Sequence, residues 1–328
     1  MLVRASSGAA RLRALWRRGG SGVAAARCFP LGRALLRVRG AEAAPFLQGL
    51  LTNDVTRLAG GAEDAPRALY AHALNVQGRC LCDVILYRLH RGAEEPHVLL
   101  ECDGSALGAA LQHLRRHKLR RKVEVAPCPE LAAWAVLPGA RPLALPRAPG
   151  LQPLLAPDPR AAPMGCRLLL PAGDNPLRVV AGGRLGDARD YHRHRYKQGI
   201  PEGVQDLPPG VALPLESNLA YMNGISFTKG CYIGQELTAR THHMGVIRKR
   251  LLPIQFSTSL PSESIPEGAE ILTESGKSAG KFRAGDGELG IALLRLANVN
   301  EPLYLNVPDG KVKLTATIPE WWPKTASK

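Results

Sequence analysis

Apolar positions along the chain alternate between two periods, and their succession predicts a mixed architecture. ALLRVRG (34–40) alternates as a strand does, and AEAAPFLQGLL after it spaces Phe46, Leu47, Leu50 and Leu51 so that they share one helical face. Further strands are predicted at ALYAHAL, CDVILYRL and HVLLECD. A helix follows over GSALGAALQHLRRHKL with Leu107, Leu111 and Leu114 on one side, where Asp103 or Ser105 can cap it. RKVEVAP then alternates as an edge strand would.

Residues 138–163 carry prolines that forbid long regular elements, so this stretch is expected to be a surface linker or an irregular part of a second subdomain. Regular signals resume at CRLLLPA. Asp187 is placed to cap a helix over ARDYHRHRYKQ, which Gly199 ends ahead of Pro201. From Arg248 onward short alternating runs (RLLPIQF, AEILTES, ELGIALLRL, KVKLTATI) lie between Gly, Ser and Pro turns, as in a small β domain. Strands and helices do not strictly alternate, so the predicted class is α+β. No run of roughly 18 apolar residues occurs, so no membrane-spanning helix is expected.

Charge adds a feature that hydropathy does not show. The formal net charge is +15, and nine arginines fall in residues 1–39, ahead of the first acid, Glu42. An arginine-rich, acid-free start with small residues and serines is the composition of a mitochondrial presequence, here residues 1–29. Arg27-Cys28-Phe29 resembles a matrix-peptidase site, which would start the mature chain near Pro30 and place the protein in the mitochondrial matrix. Concentrating the basicity there argues against a nucleic-acid partner for the remainder, although a disordered basic arm has the same composition.

Seven cysteines are too few and scattered for a disulfide framework in 328 residues. Cys80 and Cys82 lie in a predicted strand and would project from one face, better read as buried thiols than as a metal pair. Cys231 differs, because it sits in a glycine-flanked turn, Gly230 to Gly234, before a predicted helix from about Gln235. A thiol near a helix N-terminus, with Lys229 adjacent, is placed to favour the thiolate, which is both nucleophile and soft metal ligand. One cysteine supplies part of a cluster's ligand set, so other ligands would come from a partner or small molecule. The same residues also suit a turn cysteine packed as a small hydrophobe. His192 and His194 at i, i+2 do not share a helix face and read as part of a solvated basic surface, and adjacent His242 and His243 usually point apart. Trp321 and Trp322 are expected to pack the C-terminal segment down.

KGCYIGQE (229–236) closely resembles the signature of the bacterial YgfZ proteins and their mitochondrial relatives that assist iron–sulfur assembly. FLQGLLTNDV, LNVQGR, GIPEG and PLESNL precede it in the same order. The resemblance spans about residues 31–320. It implies the fold of the glycine-cleavage T-protein, with a GcvT-like region over 30–245 (two interleaved α+β subdomains around a folate-sized opening) and a β-barrel-like domain over 246–328. It further implies a 2Fe-2S cluster shared through Cys231 with an A-type carrier protein, serving apo 4Fe-4S enzymes. By the same resemblance, Asn53, Asp54, Asn75, Arg79, Asp83 and Glu216 would lie near the opening, with Tyr232, Gln235 and Glu236 of the signature, where tetrahydrofolate could bind. Lys229 and Cys231 would be the working pair. The T-protein carries paired aspartates where this chain has Cys82 and Asp83, and arginine where it has Gln235. These departures weaken the alternative, tetrahydrofolate-dependent aminomethyl transfer, and favour an assembly factor over an enzyme.

Overall fold

The computed structural model describes residues 25–59, 66–88, 97–139, 154–260, 265–307 and 310–324. The stretch expected to act as a presequence lies outside them up to residue 24, as does most of the proline-rich segment. Among the described residues, two five-stranded sheets and a closed five-stranded barrel make up the β structure.

The first sheet holds β2 (Arg33–Arg39), β3 (Ala68–Leu74), β4 (Cys80–Arg88), β5 (His97–Asp103) and β6 (Glu124–Pro127), in the order β3-β4-β5-β2-β6. The second holds β1 (Arg27–Pro30), β7 (Leu131–Leu137), β8 (Leu154–Pro157), β9 (Cys166–Pro171) and β10 (Arg184–Leu185), in the order β10-β1-β7-β9-β8. The described residues therefore begin in the second sheet, build the first and return, which interleaves the two subdomains.

The faces explain the sequence pattern. Leu35, Tyr70, Ile85, Tyr87 and Leu99 of the first sheet meet Phe29, Ala133, Ala135 and Leu169 of the second in one core. On the opposite face of the first sheet, Leu36, Val38, Leu69, Val84 and Leu100 pack under α1 (Ala43–Gln48) and α3 (Leu107–Lys118). Both faces being covered, ALYAHAL is buried at every position. Phe46, Leu47, Leu50 and Leu51 all face this core, as their spacing predicted. α2 (Thr56–Ala59) completes the layer.

Caps form where expected. The Asp103 carboxylate accepts from Ser105 N–H at 2.8 Å ahead of α3. Asp187 accepts from Arg189 N–H at the start of α4 (Ala188–Gln198), and Gly199 ends that helix at φ 67°. Two local expectations change. One extra residue, Leu81, interrupts the β3–β4 ladder between Cys80 and Cys82, so Cys82 joins the helix-covered core while Cys80 enters a separate cluster with Leu74, Tyr196 and Tyr232. The proline-rich stretch also contributes β8, an edge strand whose proline falls at its end, where the ladder loses least.

α5 (Gly203–Asp206) leads through irregular turns to α6 (Gln235–Met244) and then the barrel: β11 (Lys249–Leu260), β12 (Glu270–Thr273), β13 (Ser278–Arg295), β14 (Leu303–Val307) and β15 (Gly310–Ala316). Its interior is filled by Leu252, Ile254, Phe282, Leu294 and Leu305. Trp321 and Trp322 close the end as predicted. Trp322 packs on the barrel core, and Trp321 donates to the Gln198 carbonyl at 2.7 Å. The helix over 188–198 is less solvated than expected: Arg195 is buried against Asp206, and Arg193 pairs with Glu288 of β13.

Candidate functional site

The KGCYIGQE turn is fixed to the body of the protein by its flanks, leaving its middle outside. Lys229 points inward, and its ammonium donates to the carbonyls of Gln48, Leu51 and Asn53 at 2.7, 2.6 and 2.8 Å. Burial pulls its pKa down to about 8, against the attraction of Asp54. Ile233 N–H donates to the Gly49 carbonyl at 3.1 Å. Tyr232 is buried beside Leu74 and Cys80, and its N–H is accepted by the Gln235 side chain at 3.1 Å. Gly234, at φ 78°, lies against Gly78 so closely that a Cβ on it would stand 2.2 Å from the Asn75 carbonyl. Two glycine turns, LNVQGR and KGCYIGQE, thus pack back to back.

Of the seven cysteines, Cys231 on this anchored turn is the one exposed to solvent. Cys28, Cys80, Cys82, Cys102, Cys128 and Cys166 are all buried. Desolvation raises the thiol of Cys28 to about 11 and those of Cys102, Cys128 and Cys166 to about 12, which makes them poor ligands. Lys229 is committed to three carbonyls, so its position is that of a brace beneath the turn. His242 stacks on Phe227 with ring centroids 3.5 Å apart. Among the described residues no group of three or more His, Cys, Asp or Glu side chains could hold a metal ion.

The other residues expected around an opening are dispersed. Asn53 is buried, donating to the carbonyls of Tyr70 and Asn223 and accepting from Asp54 N–H. Asp54 accepts from Gln48 and from both Thr56 donors. Partial burial opposes its charge, yet these bonds and Lys229 hold the carboxyl below its usual range. Asn75 closes its own turn by accepting from Arg79 N–H, and Arg79 donates to the Val211 carbonyl. Glu236 is exposed in the first turn of α6, where its charge suits the helix dipole.

Asp83 lies between the two sheets, 1% exposed, paired with Arg33 at 3.1 Å and accepting from Gly203 N–H. Arg33 also binds Glu101, and Arg167 and Arg160 join Glu101, Asp158 and Glu202 into one buried lattice. Tyr191 donates to Glu202 at 2.7 Å. The sequence reading missed this lattice. Its trace was a charge set among apolar residues in each run, Glu101 in HVLLECD and Arg167 in CRLLLPA.

Glu216 lines a cavity of about 320 Å3 between the 213–216 turn, α6 and the root of the barrel, together with Thr238, Arg248, Lys249 and Arg295. Burial raises the Glu216 carboxyl against the pull of Lys249, Arg283 and Arg79. Thr238 is buried, and its hydroxyl has no protein partner. Of the polar residues expected to surround folate, Glu216 is the one that lines this cavity, and Asn53, Asp54, Asn75, Arg79 and Asp83 are engaged elsewhere.

The chain is 58% identical over 314 residues to the human protein "Iron-sulfur cluster assembly factor IBA57, mitochondrial", covering 93% of this chain and 87% of that one. The chain belongs to the IBA57 family. Mouse IBA57 is 54% identical over 91% of the chain and 86% of its own length. The IBA57 homologue of Mycosarcoma maydis is 34% identical over 89% of the chain and 83% of its own length. Residues 248–324 match the family model for the CAF17 C-terminal beta-barrel domain, which coincides with the closed barrel. The glycine cleavage system aminomethyltransferase T from Bartonella henselae has the same fold, with a TM-score of 0.67, 18% identity, and coverage of 95% of this chain and 89% of its own. This IBA57-family chain thus has the aminomethyltransferase architecture predicted from KGCYIGQE and the motifs before it.

Proposed function

We propose that the protein acts in the mitochondrial matrix as an iron–sulfur cluster assembly factor, holding a 2Fe-2S cluster jointly with an A-type carrier through Cys231 on the way to 4Fe-4S enzymes. The observation that carries this reading is the contrast among the cysteines: one thiol stands exposed on a braced turn, and six are buried. A single outward thiolate can complete a cluster ligand set only in company, which is the geometry of sharing. Bracing from Lys229, Ile233 and Gly234 holds the turn in place, so the thiol need not be ordered when a partner arrives. The cluster is cargo here, with its remaining ligands supplied by the carrier.

The test is ultraviolet–visible and EPR spectroscopy of the protein mixed with an iron-loaded A-type carrier. Native protein should give a new cluster spectrum that Cys231→Ser lacks at unchanged melting temperature. Equal cluster content in both mixtures would refute the reading.

The cavity beside Glu216 supports a second reading, a transferase acting on a tetrahydrofolate-bound one-carbon unit. It requires a free acid at Asp83, and that carboxylate is spent on Arg33 and Gly203. Turnover of an aminomethyl donor that is lost in Asp83→Asn would favour it.

A further inference from the structure

The C-terminal end of α3 and the turn after it carry a surface that neither the Cys231 turn nor the cavity uses. Between Arg115 and Lys122 the chain holds six basic side chains, Arg115, Arg116, Lys118, Arg120, Arg121 and Lys122, around one leucine, Leu119. Bases in the last turn of a helix offset its dipole, which accounts for Arg115, Arg116 and Lys118. It accounts neither for the three bases beyond the helix nor for the leucine.

Leu119 is 85% exposed, at the apex of a tight turn closed by Arg121 N–H donating to the Lys118 carbonyl at 2.9 Å. Its backbone lies at φ 46°, ψ −119°, the first central position of a type II′ turn, which ordinarily requires glycine. A leucine here strains the backbone and buries nothing. Glycine would cost the fold less, so the side chain is being spent outward. The surrounding charge is predominantly basic, with Glu42 and Glu124 the acids beside it. Arg121 reaches Glu42 at 3.3 Å, while Arg115, Arg116, Arg120 and Lys122 stand exposed.

We propose that this convex tip docks on an anionic lipid surface, Leu119 entering the acyl boundary while the bases around it meet the headgroup phosphates. A bilayer demands no shape complementarity, which suits a protruding tip with charge spread around it. An acidic protein would have to offer a matching hollow for the leucine. The inference is independent of the cluster reading.

The test places an environment-sensitive dye at the apex through Leu119→Cys in the full chain carrying Cys231→Ser. Phosphatidylcholine vesicles containing cardiolipin should shift and brighten the emission, and pure phosphatidylcholine should not. Because the readout is local, lipid binding by the arginine-rich N-terminal segment does not imitate it. Neutralising Arg115 and Arg120 to Gln should weaken the response about fivefold per charge, and salt should weaken it further. Leu119→Gly, which relieves the turn and keeps the fold, should lower vesicle co-sedimentation about tenfold. An unchanged emission, an equal response to neutral vesicles, or no loss in the Arg115→Gln, Arg120→Gln variant would overturn the proposal. A response to polyglutamate with none to vesicles would overturn it in favour of an acidic protein partner.

Discussion

Lys229 shows how a residue's neighbours in sequence mislead about its neighbours in space. Its adjacency to Cys231 suggested a cation serving a thiolate, yet its three N–H groups are taken by carbonyls of the 48–53 turn. A four-carbon stem can fold back beneath the turn, and a buried cluster of carbonyl oxygens attracts an ammonium more strongly than an exposed thiol does. Removing it leaves three carbonyls of the 48–53 turn without that donor. Lys229→Met should therefore cost about 2–4 kcal/mol in urea denaturation. It should also free the turn, so that Cys231 reacts faster with a thiol reagent. If stability and thiol reactivity are both unchanged, the brace is not what holds the turn.

Among the elements, β1 carries the sharpest consequence. The sequence placed a processing site at Arg27-Cys28-Phe29, but these residues pair with Ala135 to Leu137 of β7 and with β10. Cys28 and Phe29 are fully buried on opposite faces of the second sheet. Cutting at Pro30 would withdraw two core side chains and leave the β7 edge open, whereas cutting before Ala26, whose carbonyl accepts from Arg184 N–H, leaves the sheet whole. N-terminal sequencing of the protein recovered from mitochondria should accordingly find a start at or before Ala26. A start at Pro30 would show that the sheet tolerates the loss of β1.

The remaining elements were legible in proportion to how local their causes are. α3 and α4 were written by periodicity and by Asp103, Asp187 and Gly199. The bulge at Leu81 and strand β8 were not, because each depends on a partner strand distant in sequence.

The two sheets are joined by an apolar core with charges inside it, and this governs how the whole molecule meets acid. Burial opposes the ionisation of Glu202, but Arg167 and Arg160 outweigh it and hold the carboxyl well below 4.5. Asp158 is likewise held below 3.8. Carboxylates with lowered native pKa values stabilise the fold above their unfolded pKa, and that contribution is lost as pH falls through the native values. His72 acts earlier. Burial lowers it from 6.5 to about 4, outweighing the opposing pull of Asp83, so the unfolded chain binds its proton first. Stability should thus fall by about 3 kcal/mol between pH 6.5 and 4 from His72 alone. A steeper loss follows below pH 4. Denaturation free energies measured across this range check both steps, and a His72→Gln variant should flatten the first. A flat profile from pH 7 to 4 in the native protein would contradict the burial of His72.

By itself the sequence determined the α+β class, the strands and caps whose signals are local, a C-terminal β domain, and Cys231 as the residue to watch. Period, capping chemistry and glycine placement act within a few residues and survive in one dimension. Tertiary structure decided that Lys229 is a brace, that Asp83 is bound in a buried ionic lattice, that β1 belongs to the core and that Glu216 faces a cavity. Each of those depends on which distant side chain lies across the gap, and burial sets the energy of that meeting.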